Sequence, residues 1–184
     1  MSGIFCDWKR NRRNIKGKII MVSFRIANLA TTNRFVFYIM IPYLVCYRLF
    51  VEWFLGVELP WKTKVGKGLR VFHGQALVIN DGSVIGENVT IRHCTTIGNK
   101  QVADGSFSRC PVIGNNVEIG SNVCIIGNIR IGDNVSIGAG SVVVKDVLAG
   151  SIVVGNPART IKRHESTDFN LELVSSIQNI THID

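Results

Sequence analysis

"IGNNVEIGSNVCIIGNIRIGDNVSIGAGSVV", residues Ile113 to Val143, repeats with a period of six. An aliphatic residue recurs at Ile113, Ile119, Ile125, Ile131, Ile137 and Val143, and the same period links Ile79, Ile85, Ile91 and Ile97. Glycine follows at Gly86, Gly98, Gly114, Gly120, Gly132 and Gly138, and asparagine holds a fixed later place at Asn88, Asn116, Asn122 and Asn134. This period fits neither the ~3.6 of an α-helix nor the ~2 of a half-buried strand. It fits an all-β solenoid of very short parallel strands, each aliphatic side chain pointing inward onto its equivalent in the next coil. Glycine and asparagine tolerate left-handed backbone, so a corner is expected in every repeat. Three hexads make a triangular coil of about 18 residues.

The breaks in phase are as informative as the repeat. Ile97 and Ile113 are 16 residues apart, not a multiple of six, so "NKQVADGSFSRC" (Asn99 to Cys110) is expected to leave the coil as a loop and wall a cleft. A slip of two residues separates the register of Val71 and Leu77 from that of Ile79. With that slip allowed, His73 and His93 occupy the same position in successive coils, on strands ~4.8 Å apart. In "VFHGQALVIN" (Val71 to Asn80), His73 is therefore either a proton-handling residue or a polar member of a repetitive surface.

Working outward, 184 residues suffice for one domain with a helical appendage, and 46% apolar content argues against disorder except at the tips. The organisation expected is a basic, apolar helical segment over 1–57, a solenoid over 58–163 and a polar tail over 164–184. Five cysteines without a CxxC pair suit a reducing compartment, and a cytoplasmic location is expected. The net charge is +8, with six basic residues in "KRNRRNIKGK" (Lys9 to Lys18). Such a run reads as a solvated, mobile terminus or as an attachment to phosphates or a lipid surface. No small-residue cleavage site follows it. From about Met21 to Leu55 the pattern is helical and too apolar to stand free, so two helices packed on the body or a partner, or lying in a membrane interface, are expected. The longest uncharged run, Phe35 to Tyr47, holds 13 residues, short of the ~20 that span a bilayer. No phosphate loop, dinucleotide fingerprint or nucleic-acid module is present.

"IGDNVSIGAGSVV" (Ile131 to Val143) followed by "GNPAR" (Gly155 to Arg159) resembles the hexapeptide-repeat acyltransferases. Within that superfamily the stretches "RLFVEWFLGVEL" (Arg48 to Leu59), "HGQALVIN" (His73 to Asn80) and "TIRHCTTIGN" (Thr90 to Asn99) are similar to colanic-acid-type polysaccharide O-acetyltransferases. The order of motifs also resembles serine acetyltransferases. The resemblance implies a left-handed parallel β-helix, acetyl-CoA as co-substrate, no metal, and a homotrimer with sites between subunits. It implies a general base at His73, oriented by an acid fifteen residues earlier, where Glu58 stands. His93 contacts the acceptor or is a stacked surface residue. Asn99, Ser121, Ala139, Lys145 and Arg159 are candidates for holding coenzyme A, with Lys162 and Arg163 as further cations near its phosphates.

The acceptor is read from departures. The serine enzymes carry an acid just before the catalytic histidine, where this chain has Phe72, and an Arg-His pair at the loop exit, where it has Arg109 and Cys110. An aromatic beside the base suits a sugar ring better than an ammonium group, so a saccharide acceptor, lipid-linked ones included, ranks above serine. Peripheral contact with the inner membrane face is a further expectation. A Cys110 nucleophile is disfavoured, because direct transfer needs no acyl-enzyme. A metal-dependent hydratase would need three converging histidines, and only His73 and His93 lie in the coils, with His164 and His182 beyond them.

Overall fold

The computed structural model describes residues 3–163. Within them the hexads form a parallel solenoid of three faces. The first face stacks Val57–Glu58, Leu77–Ile79, Thr96–Gly98, Cys124–Ile126 and Val142–Val143. The second stacks Lys64–Val65, Val84–Ile85, Val112–Ile113 and Arg130–Ile131. The third stacks Arg70–Phe72, Thr90–Arg92, Glu118–Ile119, Ser136–Ile137 and Ser151–Gly155, and Ala158–Arg163 folds back antiparallel on the last of these. All ten in-register aliphatic residues are buried. A second inward position two residues earlier holds Ser83, Val89, Thr95, Val117, Val123, Val135 and Ser141, also buried. Two inward side chains per hexad therefore fill the core, and no hexad on its own could bury them.

The corners divide the work of glycine and asparagine differently from the expectation. Asn88, Asn116, Asn122 and Asn134 have φ of 55–57°, so asparagine alone supplies the left-handed residue at these positions. None of the glycines that follow the aliphatic residues has a positive φ. All but Gly98 are required for another reason: a Cβ on Gly120 would lie 2.5 Å from the amide nitrogen of Ala139, and one on Gly132 2.5 Å from that of Ala149, whereas one on Gly98 would meet only the Asn80 Cβ at 3.6 Å. Successive coils approach too closely there for any side chain.

Both phase breaks appear in the structure. Val112 pairs with Val84, against a later spacing in which Arg130 pairs with Val112. The difference is the loop from Asn99 to Cys110, closed by an antiparallel bridge between Gln101 and Phe107 and turning through Gly105 at φ 83°. The slip is a bulge at the corner after Phe72, where His73 takes φ 66° and Gly74 φ 21°. Gly74 has no room for a Cβ, which would meet Ile20 and Val71 side-chain carbons at 2.8 Å.

The basic run is folded, contrary to the mobile-terminus reading. Residues 4–13 form consecutive turns in which Asp7 and Asn11 are buried. These residues cap the open edge of the first coil with side chains in place of a strand. The Asp7 carboxylate accepts from Leu69 N at 2.9 Å; Asn11 Nδ2 donates to Leu69 O at 2.9 Å and its Oδ1 accepts from Val71 N at 3.3 Å; Asn14 Nδ2 donates to Val71 O at 2.6 Å. Arg25, 5% exposed, closes the lattice by donating to Asp7 at 2.7 Å and to the carbonyls of Val65 and Gly66.

Helix α1 runs Ile15–Asn28, earlier than its apolar periodicity suggested, because the Asn14 side chain caps it by accepting from Gly17 N at 2.9 Å. Helix α2, Arg34–Tyr47, continues through a π-helical stretch, Arg48–Phe54. Together these make one helix of 21 residues, long and apolar enough to cross a membrane by length and composition, which the count of 13 uncharged residues missed. Pro42 does not end it, and Arg48 and Glu52 pair with each other at 3.2 Å within it. The two helices form an antiparallel hairpin against the first coil: Tyr43 donates to Ser23 O, Lys16 Nζ to Leu55 O, Asn28 to Trp61 O, and the buried Tyr47 hydroxyl to Leu59 O at 2.6 Å. Burial holds the Tyr47 proton well above the usual phenol range.

Candidate active site

Most of the functional side chains predicted from the sequence fall at the two corners flanking the first face. The corner between the third and first faces carries His73, His93, Ser121 and Ala139, the last three in register through the ladder Ile91–Ile119–Ile137. The left-handed bulge lifts His73 out of that ladder, so its ring is exposed while its neighbours stay in line. The His73 and His93 ring centroids are 5.8 Å apart and nearly perpendicular, and they line a shallow depression with Gln75 and Cys94. His93 Nδ1 is buried without a hydrogen-bond partner among the described residues.

Phe72 touches His73 edge-on at 4.5 Å between centroids. The guanidinium groups of Arg70 and Arg92 lie over its ring at 4.7 and 5.3 Å. These two arginines escaped sequence reasoning, although the register that pairs Phe72 with Arg92 would have placed them beside the histidines. The signal was the slip itself, since Arg70 pairs with Thr90 only once two residues are absorbed at the corner.

The corner between the first and second faces carries the other group: Asn99, Arg109 and Cys110 at the two ends of the loop, and Lys145 two coils later. Cys110 Sγ lies 3.1 Å from Asn80 Oδ1, and burial pushes its thiol up, which leaves less thiolate at neutral pH. Lys145 and Arg159 line one depression with Val143, Val153 and Pro157 near the C-terminal hairpin. Lys162 is exposed on that hairpin, and the Arg163 side chain lies outside what is described.

Glu58 stands on the first face between the two corners, outward in a ladder that continues through Val78, Thr96, Cys124 and Val142. It opens on a groove with Arg48, Glu52, Trp61 and Lys62. Glu52 is held above the ordinary carboxylate range by burial, a rise that Arg48 opposes and Glu58 adds to. No hydrogen bond or ion pair joins Glu58 to His73 among the described residues; the spacing brings the carboxylate to the neighbouring coil, not into contact. Nor do the described residues contain three His, Cys, Asp or Glu side chains grouped to hold a metal ion, and His164 and His182 lie outside them.

Within one chain, then, the histidine edge and the Arg109–Cys110 edge are separated by the whole width of the first face. The arrangement offers an exposed imidazole for proton transfer on one edge and cations for an anionic ligand on the other.

Residues 110–145 match the bacterial transferase hexapeptide family of six repeats. The chain is 50% identical over 118 residues to the provisionally assigned colanic acid biosynthesis acetyltransferase WcaB of Escherichia coli strain K12, covering 64% of this chain and 71% of that protein. It is 50% identical over 100 residues to the mitochondrial serine acetyltransferase 3 of Arabidopsis thaliana, covering 53% of this chain and 25% of that one. Soybean serine acetyltransferase superposes with a TM-score of 0.73 at 30% identity over 87% of this chain and 68% of its own. The Brucella abortus serine acetyltransferase in complex with coenzyme A superposes at 0.69 and 26% identity over 89% and 68%. The fold and its relatives define the chain as an acetyltransferase built on a left-handed parallel β-helix. It belongs to the hexapeptide-repeat acetyltransferase family, close to both WcaB and the serine acetyltransferases.

Proposed function

We propose that the protein transfers the acetyl group of acetyl-CoA to a hydroxyl of a saccharide, with His73 as general base. The observation that carries this reading is the composition of the histidine edge: beside the imidazole stand an aromatic ring and two guanidinium groups, and the carboxylate that approaches them, Glu118, is already shared between Arg92 at 4.0 Å and Arg10 at 3.9 Å. Phe72 supplies apolar surface for a ring face, and Arg70 and Arg92 supply donors for ring oxygens and hydroxyls. The identity to WcaB across 71% of that protein supports the same class.

In this mechanism the His73 imidazole accepts the acceptor hydroxyl proton as the oxygen attacks the thioester carbonyl. The tetrahedral adduct then expels the coenzyme A thiolate, which takes the proton from the imidazolium. Nothing is left on the enzyme, and the raised Cys110 thiol is not needed. Glu58 is the positioning carboxylate in this reading, its contact to His73 tightening only with substrate in place, as catalytic hydrogen bonds do. The phosphates of coenzyme A are assigned to Lys145 and Arg159, and its pantetheine arm to Asn99 and the edge of Ser121 and Ala139. The two edges complement each other only between copies, so the complete site requires a trimer in which His73 and His93 of one subunit face Arg109 and Cys110 of the next. The uncharged ladder Val78, Thr96, Cys124 and Val142 between them suits a face that a neighbour covers.

A second reading, serine O-acetylation, is favoured by the retained Arg109 and by the superposition on soybean serine acetyltransferase. Acetyl-CoA turnover with L-serine and, separately, with nucleotide-linked, lipid-linked and oligomeric sugars decides between them by product mass. O-Acetylserine without sugar product would overturn the saccharide reading. His73→Asn should lower kcat by ~10²-fold or more with coenzyme A binding retained, and Glu58→Gln by less. Full turnover in the His73 variant would remove it from the mechanism.

A further inference from the structure

We infer that the α1–α2 hairpin is an in-plane docking surface for an anionic lipid bilayer, a conclusion that rests on the helices and not on the identity of the acceptor. One side of the 21-residue helix packs on the body through Tyr47 and Val51, which are buried. Its opposite side is exposed and mostly apolar: Phe35, Tyr38, Ile39, Ile41, Val45, Leu49, Phe50, Trp53 and Phe54 follow the spacing of three and four that makes a continuous stripe, with Arg34 and Arg48 as the exposed charges beside it. Phe35 and Trp53 are 73% exposed and Phe54 78%, values that a free surface in water does not favour for rings of this size.

The stripe is graded along its length. Arg34, Phe35 and Tyr38 stand at one end, Arg48, Trp53 and Phe54 at the other, and aliphatic residues fill the middle, the order in which side chains partition between headgroups and acyl chains. The helix is nonetheless unable to cross. Phe37 near its start stacks on Trp61 at 5.6 Å between centroids and Tyr47 further along donates to Leu59, so two points along it are held to the same coil and the same side of a bilayer. Lying flat, it would bury the stripe to the depth of the headgroup boundary.

Charge selects the occupant. Residues 1–55 hold nine basic residues against two acidic ones, almost the entire net charge of +8. Both acids are already engaged, Asp7 with Arg25 in the interior and Glu52 with Arg48. Lys9, Arg12 and Arg13 are exposed next to the open end of the hairpin, where Lys16 reaches Leu55 beside Phe54. A second copy would bring the same cations against each other, whereas an anionic leaflet complements them. In the proposed trimer all three hairpins sit at the N-terminal end of parallel solenoids, so three weak attachments would act together.

Flotation of the full chain with phosphatidylcholine vesicles, with and without about 30 mol% phosphatidylglycerol, tests this directly. The wild type should float with the anionic vesicles and not with the neutral ones, and high salt should release it. Arg12→Gln with Arg13→Gln should weaken the partition about thirty-fold, at roughly the contribution expected of two cations near such a surface. Trp53→Ser with Phe54→Ser should abolish it while circular dichroism and the mass by light scattering stay unchanged. Absence of flotation, or flotation that neither pair of substitutions weakens, would overturn the inference. So would a fall in mass on substituting Trp53 and Phe54 without vesicle binding by the wild type, which would mark the stripe as a contact between copies. If the aromatic variant fails to fold, the Arg12 and Arg13 variant and the salt dependence carry the decision alone.

Discussion

Asn134 and Gly132 sit two residues apart in one corner and answer to different constraints. Asn134 has φ 56°, a left-handed conformation that glycine adopts at least as easily, while Gly132 has ordinary φ but faces the backbone of Ala149. Asn134→Gly should therefore change stability by less than about 1 kcal/mol, losing only the hydrogen bond from Asn116 at 3.2 Å. Gly132→Ala should cost about 1–3 kcal/mol, as overpacking does, because the coils must part to admit a methyl group. Urea unfolding of the two variants checks this, and equal midpoints would contradict the close-approach argument. The distinction was invisible in the repeat, where glycine and asparagine both read as corner residues, since steric room between coils is a property of stacked backbone and leaves no period of its own.

At the scale of elements, the solenoid was legible and the N-terminal cap was not. Every inward residue from Ile79 to Val143 obeys the hexad, so periodicity alone located the strands, the excursion after Ile97 and the shared position of His73 and His93. The cap works through single polar contacts between residues 57–62 apart, such as Asn11 to Leu69 and Asp7 to the Leu69 amide, and such pairings carry no repeat. A run of basic residues consequently read as loose, although Arg10, Asn11 and Asn14 within it and Asp7 just before it bind the coil. The histidine edge was legible for the same reason as the strands, whereas the Glu58 contact was inferred from spacing that places it one coil away. The cap makes a specific demand on stability. Asp7→Ala leaves the Arg25 guanidinium buried without its counter-charge and the Leu69 amide without an acceptor, and should cost about 3–5 kcal/mol. Thermal unfolding that moved by only a degree or two would show that the cap is dispensable.

For the whole molecule, the separation of the two edges predicts how inactive subunits should behave when mixed. His73→Asn and Arg109→Ala each disable every site of their own trimer in the proposed arrangement. Co-refolded in equal amounts, they form mixed trimers in which about a quarter of the sites draw an intact His73 from one subunit and an intact Arg109 from its neighbour. Activity of the mixture should rise accordingly above that of either variant, and activity that stays at their average would place the complete site within one chain. The N-terminal cap has a consequence of another kind. Each coil of a solenoid needs an existing edge to grow on, and the first coil has none behind it. Here the segment that supplies that edge, Asp7 to Arg25, precedes the first strand in the chain and so leaves the ribosome before it. The growing polypeptide thus carries its own template, and coils can be laid down in the order of synthesis, one upon another, as the rest of the chain emerges.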